Sequence, residues 1–131
     1  PVAMGVIPSK DGGAAAFAGL PGNPVAVFVP FARVVRPLLL RLAGAAAEPL
    51  AAYRVRSAFA YTKRPGRREY VRVSLVRAAD GAFEAVKYPR EGAGVITSLT
   101  ETDGLAELAD DTTQVAPGDS IGFIPYSAIT G

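Results

Sequence analysis

The apolar residues change their spacing on either side of Ala45-Ala46-Ala47-Glu48-Pro49, and this limits the chain's possible folds more than any other feature. Before that connector, Val27, Phe31, Val34, Val35, Leu38 and Leu42 recur three and four apart, as on one face of a helix. From Tyr53 onward apolar and polar residues alternate instead, as in strands with one face buried. A chain carrying both periods must build two kinds of structure. The expected architecture is an α/β part over residues 1–46, with strands and one long kinked helix, followed by a small all-β, barrel-like domain over 47–131.

Local signals refine each part. Val2–Met4 or Val6–Ile7, and then Ala14–Ala18, read as short strands around the loop Ser9-Lys10-Asp11-Gly12-Gly13. Asn23 is a strong N-cap, and Pro24 suits the first helical position, where its missing N–H costs nothing. Pro30 and Pro37 inside the same span predict a kinked or two-part helix, and Gly44 supplies a left-handed stop. In the second part, Arg54–Tyr61, Glu69–Arg77, Phe83–Tyr88, Gly104–Leu108 and Ser120–Pro125 read as strands. Arg64-Pro65-Gly66, Asp80-Gly81, Asp103-Gly104 and Ala116-Pro117-Gly118-Asp119 read as the turns between them.

Composition narrows the chemistry. Cysteine and histidine are both absent, which removes disulfides, thiolate nucleophiles, Ser-His-Asp triads and nearly every zinc pattern. Fourteen Lys and Arg against twelve Asp and Glu leave a net charge of only +2, so nucleic acid is not a favoured partner. No apolar run is long enough to span a bilayer, and no signal-peptide pattern opens the chain. A cytoplasmic protein with no membrane partner is expected. Pro1-Val2-Ala3-Met4 reads like the middle of a strand, which points to a fragment of a longer protein.

Three segments could carry function. At Gly19-Leu20-Pro21-Gly22-Asn23-Pro24 a strand runs through glycines into a capped helix. First-turn amides and the helix dipole favour an anion there, although a tight αβ connection would use the same residues. In the second segment, Lys63–Arg72, strand alternation places Val71, Val73 and Leu75 on one face and Arg68, Tyr70, Arg72 and Ser74 on the other. Two arginines flanking a tyrosine could clamp an oxyanion, or could be the charges of a solvated hairpin. The third is Glu91-Gly92-Ala93-Gly94 with Thr97-Ser98-Leu99, where paired glycines permit close approach to a ligand or a bulge. Asp103, Glu107, Asp110 and Asp111 lack calcium-loop spacing and read as a solvated edge.

In order and spacing, these segments resemble the molybdopterin molybdenumtransferase family, the MoeA and gephyrin E-domain group. The matching pieces are Gly19–Val25, Val35–Leu38 with Leu42–Gly44, Gly66-Arg67 with Tyr70–Val73, Glu91–Gly94, Ser98-Leu99, Thr102–Leu105 and Pro117–Asp119. The resemblance implies a molybdopterin-binding-like α/β domain before a β-barrel-like one. It implies an enzyme that inserts molybdate into adenylylated molybdopterin, hydrolysing the ATP-derived adenylate with the help of magnesium. It also implies homodimers in the full-length protein.

Carried over by position, Pro21 and Pro24 match functional prolines, and Arg72 matches an arginine that helps bind the oxyanion. Gly22, Asn23, Gly92, Ala93, Gly94 and Ser98 become substrate-binding candidates, with Arg72 and the helix start at Asn23 expected to face one cleft. No metal ligand is assigned within the chain; magnesium ligands are expected outside it. The chain departs from the family at Ala93, where a serine hydroxyl is usual, and at Glu91, whose charge opposes an anion. It also has no lysine-bearing Pro-Gly-Lys-Pro stretch after Met4, and the glycine-rich pterin loop and cation-binding acids of the family's α/β domain are missing. The chain alone is therefore expected to be inactive. The alternative function is a non-catalytic, gephyrin-like interaction or scaffolding module on the same fold.

Overall fold

The computed structural model describes residues 1–90 and 96–131. It divides into two compact units, Pro1–Pro49 and Leu50–Gly131, each with its own internal organisation.

In the first unit, strand β1 (Ala3–Pro8) pairs antiparallel with β2 (Ala14–Gly19), from Ala3 opposite Gly19 to Pro8 opposite Ala14. A single continuous β1 replaces the two alternatives expected at Val2–Met4 and Val6–Ile7. The hairpin register pairs every residue from Ala3 to Pro8, with Gly5 opposite Phe17. The turn closes with Gly12 at φ 86°, a conformation suited to glycine.

Helix α1 (Pro24–Pro30) begins as the sequence predicts, with Asn23 in extended backbone and Pro24 in the first turn. The Asn23 Oδ1 accepts from the amides of Val25 and Ala26. A π turn over Phe31–Val35 joins α1 to α2 (Arg36–Leu42), with the Arg36 amide donating to the Phe31 carbonyl five residues back. Pro37 explains the wide turn. It has no N–H to continue the ladder, and its ring would collide with the carbonyl four residues earlier. The wide turn also rotates part of the helix out of the expected stripe. Ala32 is buried, whereas Val34 and Leu42, both assigned to the apolar face, are exposed. Helix α2 ends at Gly44 (φ 76°): the Ala45 amide reaches the Leu40 carbonyl and the Gly44 amide the Arg41 carbonyl, a Schellman closure.

The second unit is a closed five-stranded barrel with strand order β3-β6-β5-β7-β9. Its strands are β3 (Tyr53–Ser57), β5 (Glu69–Arg77), β6 (Phe83–Lys87), β7 (Gly104–Leu108) and β9 (Ser120–Pro125). The β3–β6 pair is parallel and the other four are antiparallel. A two-stranded ribbon of β4 (Tyr61–Thr62) and β8 (Gln114–Val115) is attached, as are the short helices α3 (Thr97–Thr100) and α4 (Tyr126–Thr130).

The expected strand Arg54–Tyr61 is broken after Ser57. The Ser57 Oγ bonds both the amide and the carbonyl of Phe59, turning the chain so that Phe59 enters the core. That core comprises Phe59, Val71, Val73, Ala85, Ala106, Leu108, Val115, Ile121 and Phe123, with Val55, Tyr61 and Leu75 packed against it. The alternation read on β5 therefore places Val71, Val73 and Leu75 inward, as expected. Strands β7 and β9 are buried on both faces, because Leu105 and Ile124 pair on the outer side and α4 packs there with the buried Ile129. Among the described residues, no helix is long and apolar enough to cross a membrane.

Candidate functional site

Arg72 lies within β5 and Arg68 just before it, yet the fold treats them differently. Arg68 donates to the Glu107 carboxylate at 2.8 Å and to the Asp110 carboxylate at 3.1 Å. Those two acids raise its pKa above the ordinary arginine value, the Asp110 hydrogen bond most strongly. The acids read as a solvated edge are thus partners of the basic strand. Asp103 also has a structural task, since its Oδ2 accepts the Leu75 amide at 2.7 Å. Lys63, grouped by sequence with the basic hairpin, is buried. Its ammonium donates to the carbonyls of Arg64, Arg67 and Asp110, closing the hairpin from inside. Of that basic run, Lys63 and Arg68 hold the fold together rather than a ligand.

Arg72 sits mid-strand opposite Leu105, half-buried, and its Nη1 donates to the Ser98 Oγ at 2.6 Å. Ser98 is completely buried. It contacts the guanidinium with a neutral hydroxyl, adding no charge of its own. The Tyr88 ring lies 6.0 Å from the Arg72 Cζ, at the outer limit of a cation–π contact. The Tyr88 hydroxyl donates to the Glu101 carboxylate at 2.7 Å, and the Tyr88 amide donates to the Arg72 carbonyl.

These residues border a cavity of about 260 Å³ lined by Tyr61, Tyr70, Val71, Arg72, Lys87, Tyr88 and Arg90. Three cationic side chains and three tyrosines meet there. Sequence reading found Arg72 but missed Lys87, Tyr88 and Arg90. A signal was available: in β6, Lys87 shares the parity of the core residue Ala85, so a lysine ends the strand on the face that Ala85 turns inward. The Lys87 Nζ lies 5.3 Å from the centre of the Tyr61 ring, whose hydroxyl donates to the Glu69 carboxylate at 3.0 Å.

A wider depression of about 700 Å³ is lined by Tyr53, Val55, Leu75, Phe83 and Phe123 together with Arg54 and Arg56. Its arginines are otherwise engaged. Arg56 bonds Asp80 and Glu84, and Arg54 bonds the Ser120 hydroxyl and carbonyl. The smaller cavity gathers three cationic side chains against two in the wider depression.

In the first unit, Pro21 and Asn23 are partly buried, and Gly22 and Pro24 are exposed. The first-turn amides expected to meet an anion have partners within the turn. Pro24 has no amide, Val25 and Ala26 donate to the Asn23 side chain, and Val27 donates to the Asn23 carbonyl. Gly92, Ala93 and Gly94 lie outside the described residues. Among the described residues, no group of three or more His, Cys, Asp or Glu stands close enough together to hold a metal ion.

Residues 54–126, spanning nearly the whole barrel, match the family model of the MoeA C-terminal region (domain IV). The chain belongs to the MoeA family. Solved structures agree in fold. A molybdopterin biosynthesis moeA protein from Pyrococcus horikoshii OT3 is 22% identical with a TM-score of 0.61, covering 80% of this chain and 26% of its own. A molybdenum cofactor biosynthesis protein from Pyrococcus furiosus is 28% identical with a TM-score of 0.61, covering 80% of this chain and 36% of its own. Another structure of the P. horikoshii moeA protein is 21% identical with a TM-score of 0.62, covering 94% and 28%. The chain thus spans about a quarter to a third of the length of the solved proteins it matches. Within the MoeA domain IV, Arg72 and its cavity lie on the barrel wall formed by β5 and β6.

Proposed function

We propose that this chain is part of an enzyme of molybdenum-cofactor biosynthesis that inserts molybdate into adenylylated molybdopterin, with Arg72 as the barrel's oxyanion-binding residue. The observation that carries this reading is Arg72 itself, fixed by a buried neutral hydroxyl at the wall of a cavity that also presents Lys87 and Arg90. A tetrahedral dianion gains charge-assisted hydrogen bonds from a planar guanidinium, and further cations lower its cost of leaving water. Membership of the MoeA family and the names borne by the Pyrococcus proteins support the same assignment.

In this reading Pro21, Gly22, Asn23 and Pro24, with Gly92, Ala93 and Gly94, contribute substrate-facing backbone, and Ser98 serves by holding Arg72. Magnesium, where it takes part, is held by residues beyond those described. The α/β character of the first unit, a homodimeric parent protein and a cytoplasmic location belong to the same proposal.

The test uses the complete parent protein. Arg72→Ala should lower molybdate-dependent cofactor formation by about 10- to 100-fold, as expected for losing a hydrogen bond to a charged group of about 1.5–3 kcal/mol. Arg72→Lys should recover part of that loss. Full activity in Arg72→Ala would overturn the assignment.

A further inference from the structure

A line of hydrogen bonds runs from the C-terminal helix to Arg72. The Tyr126 hydroxyl lies 2.9 Å from the Thr102 Oγ1. Thr102 is buried, and its Oγ1 donates to the Ser98 carbonyl. A threonine hydroxyl has one proton, so with that proton directed at Ser98 its oxygen must accept from the phenol. Tyr126 is thus the donor that starts the line. Burial raises its pKa above the ordinary tyrosine value and outweighs the lowering by the Thr102 bond and the Arg72 charge, so the phenol keeps its proton at neutral pH.

The receiving end is α3. This single helical turn carries Ser98, whose Oγ accepts from the Arg72 Nη1. Residues just after α3 are fastened to β5 beside Arg72. Ser74 bonds the Glu101 carbonyl, the Asp103 amide bonds the Val73 carbonyl, and Asp103 accepts the Leu75 amide. These contacts fix the far end of the segment. The bond from Thr102 to the Ser98 carbonyl ties the turn that carries Ser98 to that end, beside the bonds of the Glu101 amide and Thr100 hydroxyl to the Thr97 carbonyl. Thr102 in turn is oriented by Tyr126.

We propose that Tyr126 is a positioning residue for Arg72, acting through Thr102 and the backbone of Ser98 to hold the guanidinium in one orientation. Its relevance to catalysis rests on the oxyanion role of Arg72 proposed above, but the positioning itself can be measured independently. The wild-type chain and its Tyr126→Phe, Thr102→Val, Thr102→Ser and Ser98→Ala variants would be labelled with 15N-arginine. Rotation about the Arg72 Nε–Cζ bond is then read from exchange broadening of its Nη resonances. Ser98→Ala removes the direct bond and gives the rotation rate without it.

Tyr126→Phe and Thr102→Val should speed the rotation about tenfold, the equivalent of roughly 1.4 kcal/mol of restraint. Thr102→Ser, which keeps the hydroxyl, should behave as wild type. Arg56 and Arg68 report general loosening, and their resonances should not change. Wild-type rotation of Arg72 in both Tyr126→Phe and Thr102→Val would overturn the proposal, as would equal acceleration of Arg56 and Arg68. Sodium molybdate titrated into the same samples separates the two claims. If molybdate leaves the wild-type Arg72 resonances unmoved, the oxyanion reading fails, while the rotation rates still decide the positioning.

Discussion

Gly104→Ala should unfold the barrel at markedly lower temperature, and the size of the effect follows from the space around that residue. A Cβ built on Gly104 would stand 2.3 Å from the Ile124 carbonyl oxygen and 2.7 and 2.8 Å from two atoms of the Phe123 ring. Carbon and oxygen approach comfortably at about 3.3 Å, so the overlap with the carbonyl is roughly 1 Å. The obstructing oxygen belongs to the backbone of β9, which is paired with β7 on one side and β3 on the other, and it cannot move away cheaply. Phe123 is in the core and has little room to turn. Overpacking of this kind costs about 3 kcal/mol, the upper part of the usual range. For a domain of this size that corresponds to roughly 12–24 °C in melting temperature.

Gly122→Ala is the matched control on the neighbouring strand. Its Cβ would meet the Ala52 Cβ at 3.3 Å and the Glu107 oxygen at 3.5 Å, contacts that a small shift relieves, so the loss should stay below about 1 kcal/mol. Near-UV circular dichroism is the right probe. All five tyrosines lie in the barrel unit and the chain has no tryptophan, so the aromatic signal reports the barrel predominantly. A Gly104→Ala melt within about 3 °C of wild type would refute the reasoning, as would an equal loss in Gly122→Ala.

Two further outcomes are expected. Lys63→Met keeps the aliphatic stem but leaves the carbonyls of Arg64, Arg67 and Asp110 without the ammonium; urea unfolding should show a loss of about 1.5–3 kcal/mol, and no change in midpoint would contradict the structural role given to Lys63. Asp80 is held at about 2, below the ordinary 3.8 of an aspartate, first by its hydrogen bonds from Arg56. Because the folded value is the lower one, its stabilising contribution is present above pH 3.8 and is lost as pH falls through about 2. Asp80→Asn should flatten the acid limb of the melting profile across that window, by a small amount because the pair is solvent-exposed, and parallel profiles for the two proteins would disprove the linkage.

What could be read from the sequence was whatever depends on neighbours in the chain. The cap at Asn23, the left-handed Gly44 and the inward run Val71, Val73, Leu75 each follow from a few adjacent residues, and each appears in the structure. Contacts between distant residues were harder to foresee. Asp103-Gly104 has the composition of a turn, but Gly104 is in β7 and is needed because β9 passes too close for a side chain. Ser57 ends β3 by bonding Phe59, a local event whose consequence, Phe59 entering the core, depends on strands far along the chain. Lys63 looked like a member of a surface basic cluster because nothing adjacent to it reveals that Asp110 will come within reach.

Arg68, just before β5, and Arg72, within it, carry the same lesson into the site. Arg68 and Arg72 are four residues apart at the same parity, so composition, alternation and local charge treat them alike. What separates them is the element opposite each. Arg68 meets Glu107 and Asp110, acids on and just beyond β7, and its positive charge is neutralised by two carboxylates. Further along, within β5, Arg72 is opposite Leu105, and its Nη1 donates to the Ser98 hydroxyl from α3. A carboxylate orients a guanidinium and cancels its charge together, whereas a hydroxyl orients it and leaves the field unchanged. Exchanging these environments should exchange the roles. Ser98→Asp would place a carboxylate beside Arg72, and molybdate titrated against the cavity of Lys87 and Arg90 should then bind more weakly although every cation in it is retained. Unchanged molybdate affinity in Ser98→Asp would show that the neutral side chain at position 98 does not matter to anion binding in this cavity.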